Sequence, residues 1–190
     1  MIILTILIAS CLLLSCSSSG PVEVVPYPND IQVHEGCFKA AGSSVNFDVN
    51  IDLQSQALIS QFAGQLSLVS GRTSALHQGI SDKGFVFTYD PEIPAEAYSI
   101  EVHPDAAQVR ASGLRGFNYA IQTLKQLLPV EIYSNEKAKG VRWTIPCLSI
   151  NDAPRFAYRG IHLDESRNFF GIEEVKRYID IMEVHKLNTL

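Results

Sequence analysis

Two stretches with helical periodicity separate a series of short strand patterns in the middle of the chain. Apolar residues recur every three or four positions from Leu53 to Leu68 and from Gly116 to Leu128, which predicts two amphipathic helices. Gly71 and Pro129 follow these stretches and are typical helix-ending residues. Residues 45–51 alternate apolar and polar positions, and strand-like composition predicts further strands over residues 84–89, 98–102, 109–111 and 141–150. Residues 31–40 surround the turn-forming His34-Glu35-Gly36 and predict a strand or a short hairpin.

These elements are typical of an α/β fold, and more specifically of an α+β domain in which helices cover one face of a sheet. We expect the strands at 98–102 and 109–111 to pair as a hairpin across the turn at His103–Asp105. The segment 45–51 has two interpretations, a half-buried strand or the entry into the first helix. The turn-forming run Asn151–Pro154 then ends a domain that we place at residues 22–152.

One strand pattern and one helix pattern follow this linker. Tyr158–Leu163 has the composition of a strand, and Ile172–Lys186 has the period of a helix. A further apolar segment begins at Asn188–Leu190. This order is the opening of a repeating βα pattern, so we interpret residues 153–190 as the first βα unit of a truncated TIM barrel. The apolar face of its helix would carry Ile172, Val175, Ile179 and Met182.

The start of the chain is much more apolar than the rest. Ile2–Leu14 is too short to span a bilayer, but it suits the apolar core of a secretion signal. Leu13–Cys16 resembles a bacterial lipobox, in which the cysteine is lipidated and becomes the mature N-terminus. We therefore predict a signal peptide over residues 1–15, lipidation at Cys16 and a flexible tether over residues 16–21.

This prediction implies export and lipid anchoring to the bacterial membrane, in the periplasm or at the cell surface. Cys11 offers a second lipobox match, but it leaves a shorter apolar core. The first Lys or Arg is Lys39, whereas a signal normally has positive charge before its apolar core. The alternative is an ordinary buried N-terminal strand.

Composition excludes several classes of function. The chain has 190 residues, 46% of them hydrophobic, and a net charge of −5, so nucleic acid is not an expected partner. Its five histidines are scattered and no paired-cysteine motif occurs, so we expect no metal site and no cofactor. Cys37 and Cys147 lie among strand-like neighbours, which favours buried thiols; export leaves a disulfide as the alternative.

Residues after the linker carry a dense set of motifs: Pro154-Arg155-Phe156, Tyr158-Arg159-Gly160, Leu163 to Phe170, Tyr178-Ile179-Asp180, Met182 and Lys186-Leu187-Asn188. Together they resemble the entry to the catalytic domain of family-20 glycoside hydrolases, the β-N-acetylhexosaminidases. Upstream, Glu96–Ile100 and Gly116–Leu128 resemble the accessory domain of that family, which packs against the barrel.

The resemblance implies hydrolysis of terminal β-linked N-acetylglucosamine or N-acetylgalactosamine by substrate-assisted retention. An aspartate and a neighbouring glutamate serve this chemistry in the family. That pair lies downstream of the Lys-Leu-Asn segment, so we expect it beyond Leu190 and expect this chain alone to be inactive. Arg167 corresponds to the arginine that binds sugar hydroxyls in the family, and amino-sugar glycans are the implied substrate.

Neighbouring charged residues receive supporting roles under the same resemblance. Asp164 could orient Arg167, while Arg159 and Arg155 are expected to join the barrel to the accessory domain. Glu165 and Asn168 depart from the family pattern, which puts fine substrate contacts in doubt. The alternative function is a non-catalytic surface lipoprotein that binds a carbohydrate or a partner, and a third is a module that only positions another domain.

Overall fold

The structure is a computed structural model, and it describes residues 22–190. Within these residues, seven strands form one mixed sheet, whose order is β1-β7-β5-β6-β4-β2-β3. The pairs β1–β7, β7–β5 and β5–β6 are antiparallel, whereas β6–β4, β4–β2 and β2–β3 are parallel. The strands are β1 Asp30–Lys39, β2 Val45–Phe47, β3 Leu76–Gln78, β4 Gly84–Tyr89, β5 Tyr98–Val102, β6 Ala106–Ala111 and β7 Thr144–Asp152.

The described part of the chain also forms three α-helices and one 3-10 helix: α1 Leu53–Ser70, α2 Leu114–Leu127, the 3-10 helix Val130–Tyr133, and α3 Ile172–Val184. Asp52 caps α1, because its Oδ1 accepts the backbone N–H groups of Gln54 and Ser55, each at 3.0 Å. Gly71 ends α1 in the left-handed conformation with φ of 65°. The capping hydrogen bonds and the glycine explain why α1 has these limits.

The helices α1 and α2 pack on one face of the sheet around a cluster of phenylalanines. Phe85 lies at the centre, with its ring 5.0 Å from that of Phe38 and 5.1 Å from that of Phe62, both edge to face. Phe87 links this group to Phe117 of α2. Each of these five rings is at most 2% exposed, so residues 22–152 enclose a complete hydrophobic core.

The predicted mixed domain is confirmed, with differences at particular strands. The segment 45–51 is a strand only at Val45–Phe47 and then turns at Asp48 into the α1 cap. The hairpin forms, but β6 begins earlier than predicted, at Ala106. Strand β3 was not predicted, because all three of its residues are exposed and it pairs with β2 alone. Cys147 is a free buried thiol and so is not bridged to Cys37.

The segment after β7 is helical where predicted, but its strand is barely formed. The predicted strand over residues 158–163 is reduced to one parallel bridge, between Gly160 and Thr189, with a 3.0 Å hydrogen bond from Ile161 N to the Thr189 carbonyl. Only one edge of the segment has a hydrogen-bonding neighbour within residues 22–190. Helix α3 ends at Val184, two residues before the predicted end.

No helix within residues 22–190 is both long enough and apolar enough to cross a bilayer. The same residues contain no cluster of His, Cys, Asp and Glu side chains that could hold a metal ion. The predicted signal peptide, the lipidation site Cys16 and the tether lie outside the described residues.

Candidate functional site

Asp164 and Arg167 lie together in the loop that follows the Gly160 bridge. The Asp164 carboxylate accepts the backbone N–H groups of Ser166 and Arg167, each at 3.1 Å, and the Ser166 hydroxyl at 2.8 Å. Its other oxygen is 3.2 Å from Arg167 Nε. Asp164 therefore orders the loop backbone and orients the arginine that the sequence singled out.

The Arg167 side chain is 87% exposed, so its guanidinium points to solvent and retains unused N–H donors. The hydrogen bond from the Ser166 hydroxyl, followed by those from the backbone, holds the pKa of Asp164 below its ordinary value. The carboxylate is thus charged at neutral pH and can keep the guanidinium in place. A planar cation held at one nitrogen is suited to donating to two adjacent hydroxyl oxygens.

Arg159 joins the segment after the linker to the first domain. Its Nη1 and Nη2 lie 3.3 and 3.2 Å from the two oxygens of Glu96, and Nη2 donates to the Tyr119 hydroxyl at 2.6 Å. Nε donates to the Lys186 carbonyl at 2.8 Å. The Arg159 side chain is only 12% exposed, so this fork is a buried contact between the two parts of the chain, as its expected joining role requires.

Glu96 is the acidic partner in this contact. Its hydrogen bond from Arg159 is the largest cause that lowers the pKa of Glu96, and the Tyr119 hydroxyl adds to it at 3.0 Å. Burial works in the opposite direction but is weaker. Arg155, the second arginine expected at this junction, donates to Asn29 Oδ1 at 3.0 Å on the exposed side.

A second buried ion pair lies beside the first and was missed by the sequence analysis. Lys186 is 4% exposed, and its Nζ is 3.1 Å from Asp152 Oδ2 and 2.7 Å from the Tyr98 hydroxyl. The Tyr98 hydroxyl donates to the same Asp152 oxygen at 2.7 Å and lies 2.7 Å from Thr123 Oγ1. Burial, followed by the Asp152 charge, raises the pKa of Tyr98 and keeps its hydroxyl protonated.

The backbone of Lys186 adopts the left-handed conformation. Lys186 is the only described residue other than glycine with positive φ, at 57°. It occupies the left-handed position after α3 in a Schellman motif, with Leu187 N bonded to the Met182 carbonyl at 2.8 Å and Lys186 N bonded to that of Glu183 at 3.0 Å. Glycine is the usual residue there, and the sequence carried no signal that the lysine in its place pairs with Asp152.

Comparison with known proteins explains this arrangement. The family model described as "Glycosyl hydrolase family 20, domain 2" matches residues 22–153, and the model for the catalytic domain of the same family matches residues 156–190. The chain belongs to glycosyl hydrolase family 20. The Arg159 and Lys186 contacts therefore join the family's domain 2 to the start of its catalytic domain.

Relatives in the family are longer proteins. The "Beta-hexosaminidase" of Vibrio furnissii is 28% identical over 173 residues, which are 91% of this chain and 26% of that protein. The "Beta-hexosaminidase" of Porphyromonas gingivalis is 37% identical over 93 residues, which are 49% of this chain and 12% of that protein. The chain thus spans only a small part of the length of these curated relatives.

Solved structures show the same fold. The family-20 β-N-acetylhexosaminidase of Streptomyces coelicolor superposes with a TM-score of 0.79 at 26% identity, over 89% of this chain and 34% of that one. The β-N-acetylhexosaminidase of Bacteroides fragilis superposes with a TM-score of 0.68 at 26% identity, over 87% of this chain and 32% of that one. The α+β domain followed by the start of a catalytic domain is therefore the fold of this chain.

Proposed function

We propose that this chain is the N-terminal part of a β-N-acetylhexosaminidase that removes terminal β-linked N-acetylglucosamine or N-acetylgalactosamine. The parallel bridge between Gly160 and Thr189 on either side of α3 is the observation that carries the proposal. Parallel pairing around a helix is the repeating unit of a TIM barrel, and barrel chemistry gathers at the ends of strands. The Asp164–Arg167 loop follows such a strand end.

The chemistry we propose is substrate-assisted retention. The acetamido oxygen of the substrate attacks its own anomeric carbon, a general acid protonates the departing oxygen, and water then opens the cyclic intermediate. The general acid and the aspartate that orients the acetamido group would follow Leu190 in the sequence. Arg167 would bind adjacent hydroxyls of the terminal sugar and fix the ring, while Asp164 holds its guanidinium in place.

We also propose that the enzyme is exported and attached to the bacterial membrane through lipid on Cys16. The apolar run Ile2–Leu14 and the lipobox-like Leu13–Cys16 support this location. Metabolic labelling with a clickable fatty acid, compared between the wild type and Cys16→Ala, tests it. Equal labelling of both proteins would contradict lipidation at Cys16, and Cys11→Ala tests the alternative lipobox.

Replacing Arg167 tests the proposed site in the full-length gene product. For Arg167→Ala we expect KM for a chromogenic N-acetylglucosaminide to rise and kcat/KM to fall by about 10²-fold, since a charged donor to substrate is removed. Arg177→Ala is the matched control, because Arg177 is also exposed and paired with an acid three residues before it. Unchanged kcat/KM in Arg167→Ala would exclude this role for Arg167.

Activity of the wild type decides between the enzyme and the alternative, a surface lipoprotein that only binds. Full-length protein that is folded but releases no N-acetylhexosamine from a chromogenic β-N-acetylglucosaminide or a chromogenic β-N-acetylgalactosaminide would favour the binding module. Release from both substrates supports the enzyme. The ratio of the two rates then gives the preferred sugar.

A further inference from the structure

A basic groove lies at the opposite end of the sheet from the catalytic segment. Its volume is about 670 Å³, and five of its lining residues are cationic: Lys39, Arg72, Lys137, Lys139 and Arg142. The described lining residues include no Asp and no Glu. One third of the 15 Lys and Arg residues therefore meet at one groove in a chain with a net charge of −5.

Three chain segments build this basic groove: the end of β1, the turn after α1 and the loop before β7. Two backbone hydrogen bonds tie them together, Ala40 N to the Trp143 carbonyl at 2.9 Å and Ala138 N to the Val69 carbonyl at 2.9 Å. The Arg72 side chain lies against Gly42, where an added Cβ would be 3.5 Å from the Arg72 Cβ. The groove wall is thus held by main-chain contacts.

The cations of the groove have no acidic partners within residues 22–190. All five are exposed, and none takes part in an ion pair between described residues. Lys137 has a structural explanation, because its side chain lies across Gly71 at the C-terminus of α1. Cations gathered in a concave site concentrate positive potential there.

The groove lies far from the junction between domain 2 and the catalytic segment. Lys39 pairs with Thr144 at one end of the β1–β7 ladder, and the linker leaves from Asp152 at the other. Eight residue steps along β7 separate these ends by about 26 Å. Arg159 and Lys186 bind the catalytic segment at the Asp152 end, so the groove faces away from it.

We propose that the basic groove is an accessory binding site for acidic glycan chains bearing sulfate or carboxylate groups. The inference rests on the proposed function in one respect, since polymers that contain amino sugars commonly carry such groups. Guanidinium forks bind sulfate and carboxylate oxygens in pairs, and a groove accommodates a chain better than a flat membrane surface. The site would hold a polymeric substrate near the enzyme.

Binding of chondroitin sulfate to the full-length protein tests this proposal. For Arg72→Gln combined with Lys139→Gln we expect affinity by calorimetry at low salt to fall roughly tenfold. Lys83→Gln with Arg110→Gln is the matched control, since it removes one Lys and one Arg outside the groove lining, and it should change affinity by less than about twofold. Neither variant should alter kcat/KM for a small chromogenic N-acetylglucosaminide.

The outcomes separate the two proposals. Equal losses of affinity for chondroitin sulfate in the groove variant and the control variant would mean that only net charge matters. Binding of a neutral chitooligosaccharide as tight as that of chondroitin sulfate would mean that sulfate is not recognised. Either result overturns the groove proposal. Groove-dependent binding to vesicles containing phosphatidylglycerol, without binding to chondroitin sulfate, would replace the glycan by a membrane surface. Failure to hydrolyse the chromogenic substrate would contradict the proposed activity but would not affect the interpretation of the glycan-binding measurement.

Discussion

Domain 2 and the catalytic segment of this chain differ sharply in how they bury their aromatic residues. Phe85 and Phe87 of domain 2 are completely buried, whereas Phe156 and Phe169 of the catalytic segment are 72% and 86% exposed. Residues 22–190 therefore leave the second pair of rings largely uncovered. Domain 2 therefore derives its order from its own core, while the catalytic segment contacts domain 2 through the two ion pairs at the junction and through hydrogen bonds from Gln122 and Gln126 to the end of α3.

Replacing one phenylalanine in each region by alanine should give the largest difference in the free energy of unfolding. Phe85→Ala should lower the free energy of unfolding of domain 2 by about 3–5 kcal/mol, because it opens a cavity among three packed rings. Phe169→Ala is the control and should change it by less than about 0.5 kcal/mol. Urea unfolding followed by circular dichroism measures both, and comparable losses would contradict a core confined to domain 2.

Removing the Lys186 charge should detach the catalytic segment without unfolding domain 2. Lys186→Met leaves Asp152 and Tyr98 without their buried cation, and breaking one side of a buried pair typically costs about 3–5 kcal/mol. Hydrogen exchange should become faster in α3 and at Ile161 while remaining slow in β4 and β6. Lys176→Met, on the exposed face of α3, should leave both patterns unchanged.

A smaller effect is expected at the start of α1. Asp52→Ala removes the acceptor of two backbone N–H groups and should lower the free energy of unfolding by about 1 kcal/mol. Asp82→Ala is a suitable control, because Asp82 is exposed and lies in a turn. Thermal unfolding of the two variants should show a loss in Asp52→Ala alone; matching curves would mean that the cap is dispensable.

Lowering the pH should weaken the contact between domain 2 and the catalytic segment before it weakens domain 2 itself. This effect should be smaller than those of the substitutions above. The pKa of Glu96 is lowered in the folded state, so its stabilisation is present above the unfolded pKa and is lost as pH falls from about 4.3 through the folded value. After correction for the intrinsic exchange rate at each pH, the protection factors of the Ile161 and Asn188 amides should therefore fall on acidification. Glu96→Gln should show fast exchange already at neutral pH, with little further change; a wild-type-like pH response would assign the effect to another carboxylate.

Much of domain 2 could be predicted from its sequence because its local signals agree with its packing. The apolar stripe from Gly116 to Leu128 and the capped, glycine-terminated α1 stretch both indicate helices that the structure contains. Strand β3 escaped prediction because none of its residues is buried, so hydrophobic pattern carries no signal there. The order of the strands depends on long-range pairing, which periodicity does not encode.

Some residues of the candidate site and of the junction could be predicted from sequence motifs, whereas Lys186 could not. Arg167, Asp164 and Arg159 stand in motifs whose family resemblance suggests roles, and the structure places Asp164 beside Arg167 and Arg159 between the two parts. The roles of Arg167 and Asp164 in binding sugar stay predictions. Lys186 pairs with Asp152 across 34 residues, and helical periodicity alone gave no reason to join them.

The place of β7 in the sheet has a consequence for synthesis on the ribosome. Among the strands within residues 22–190, β1 is made first and has only β7 as a partner strand, and β7 is the last of these strands to be made. Until the nascent chain has passed Asp152, β1 presents an unpaired edge that other chains could capture. Closure of the sheet thus coincides with emergence of the catalytic segment, so the two regions enter their native arrangement almost together.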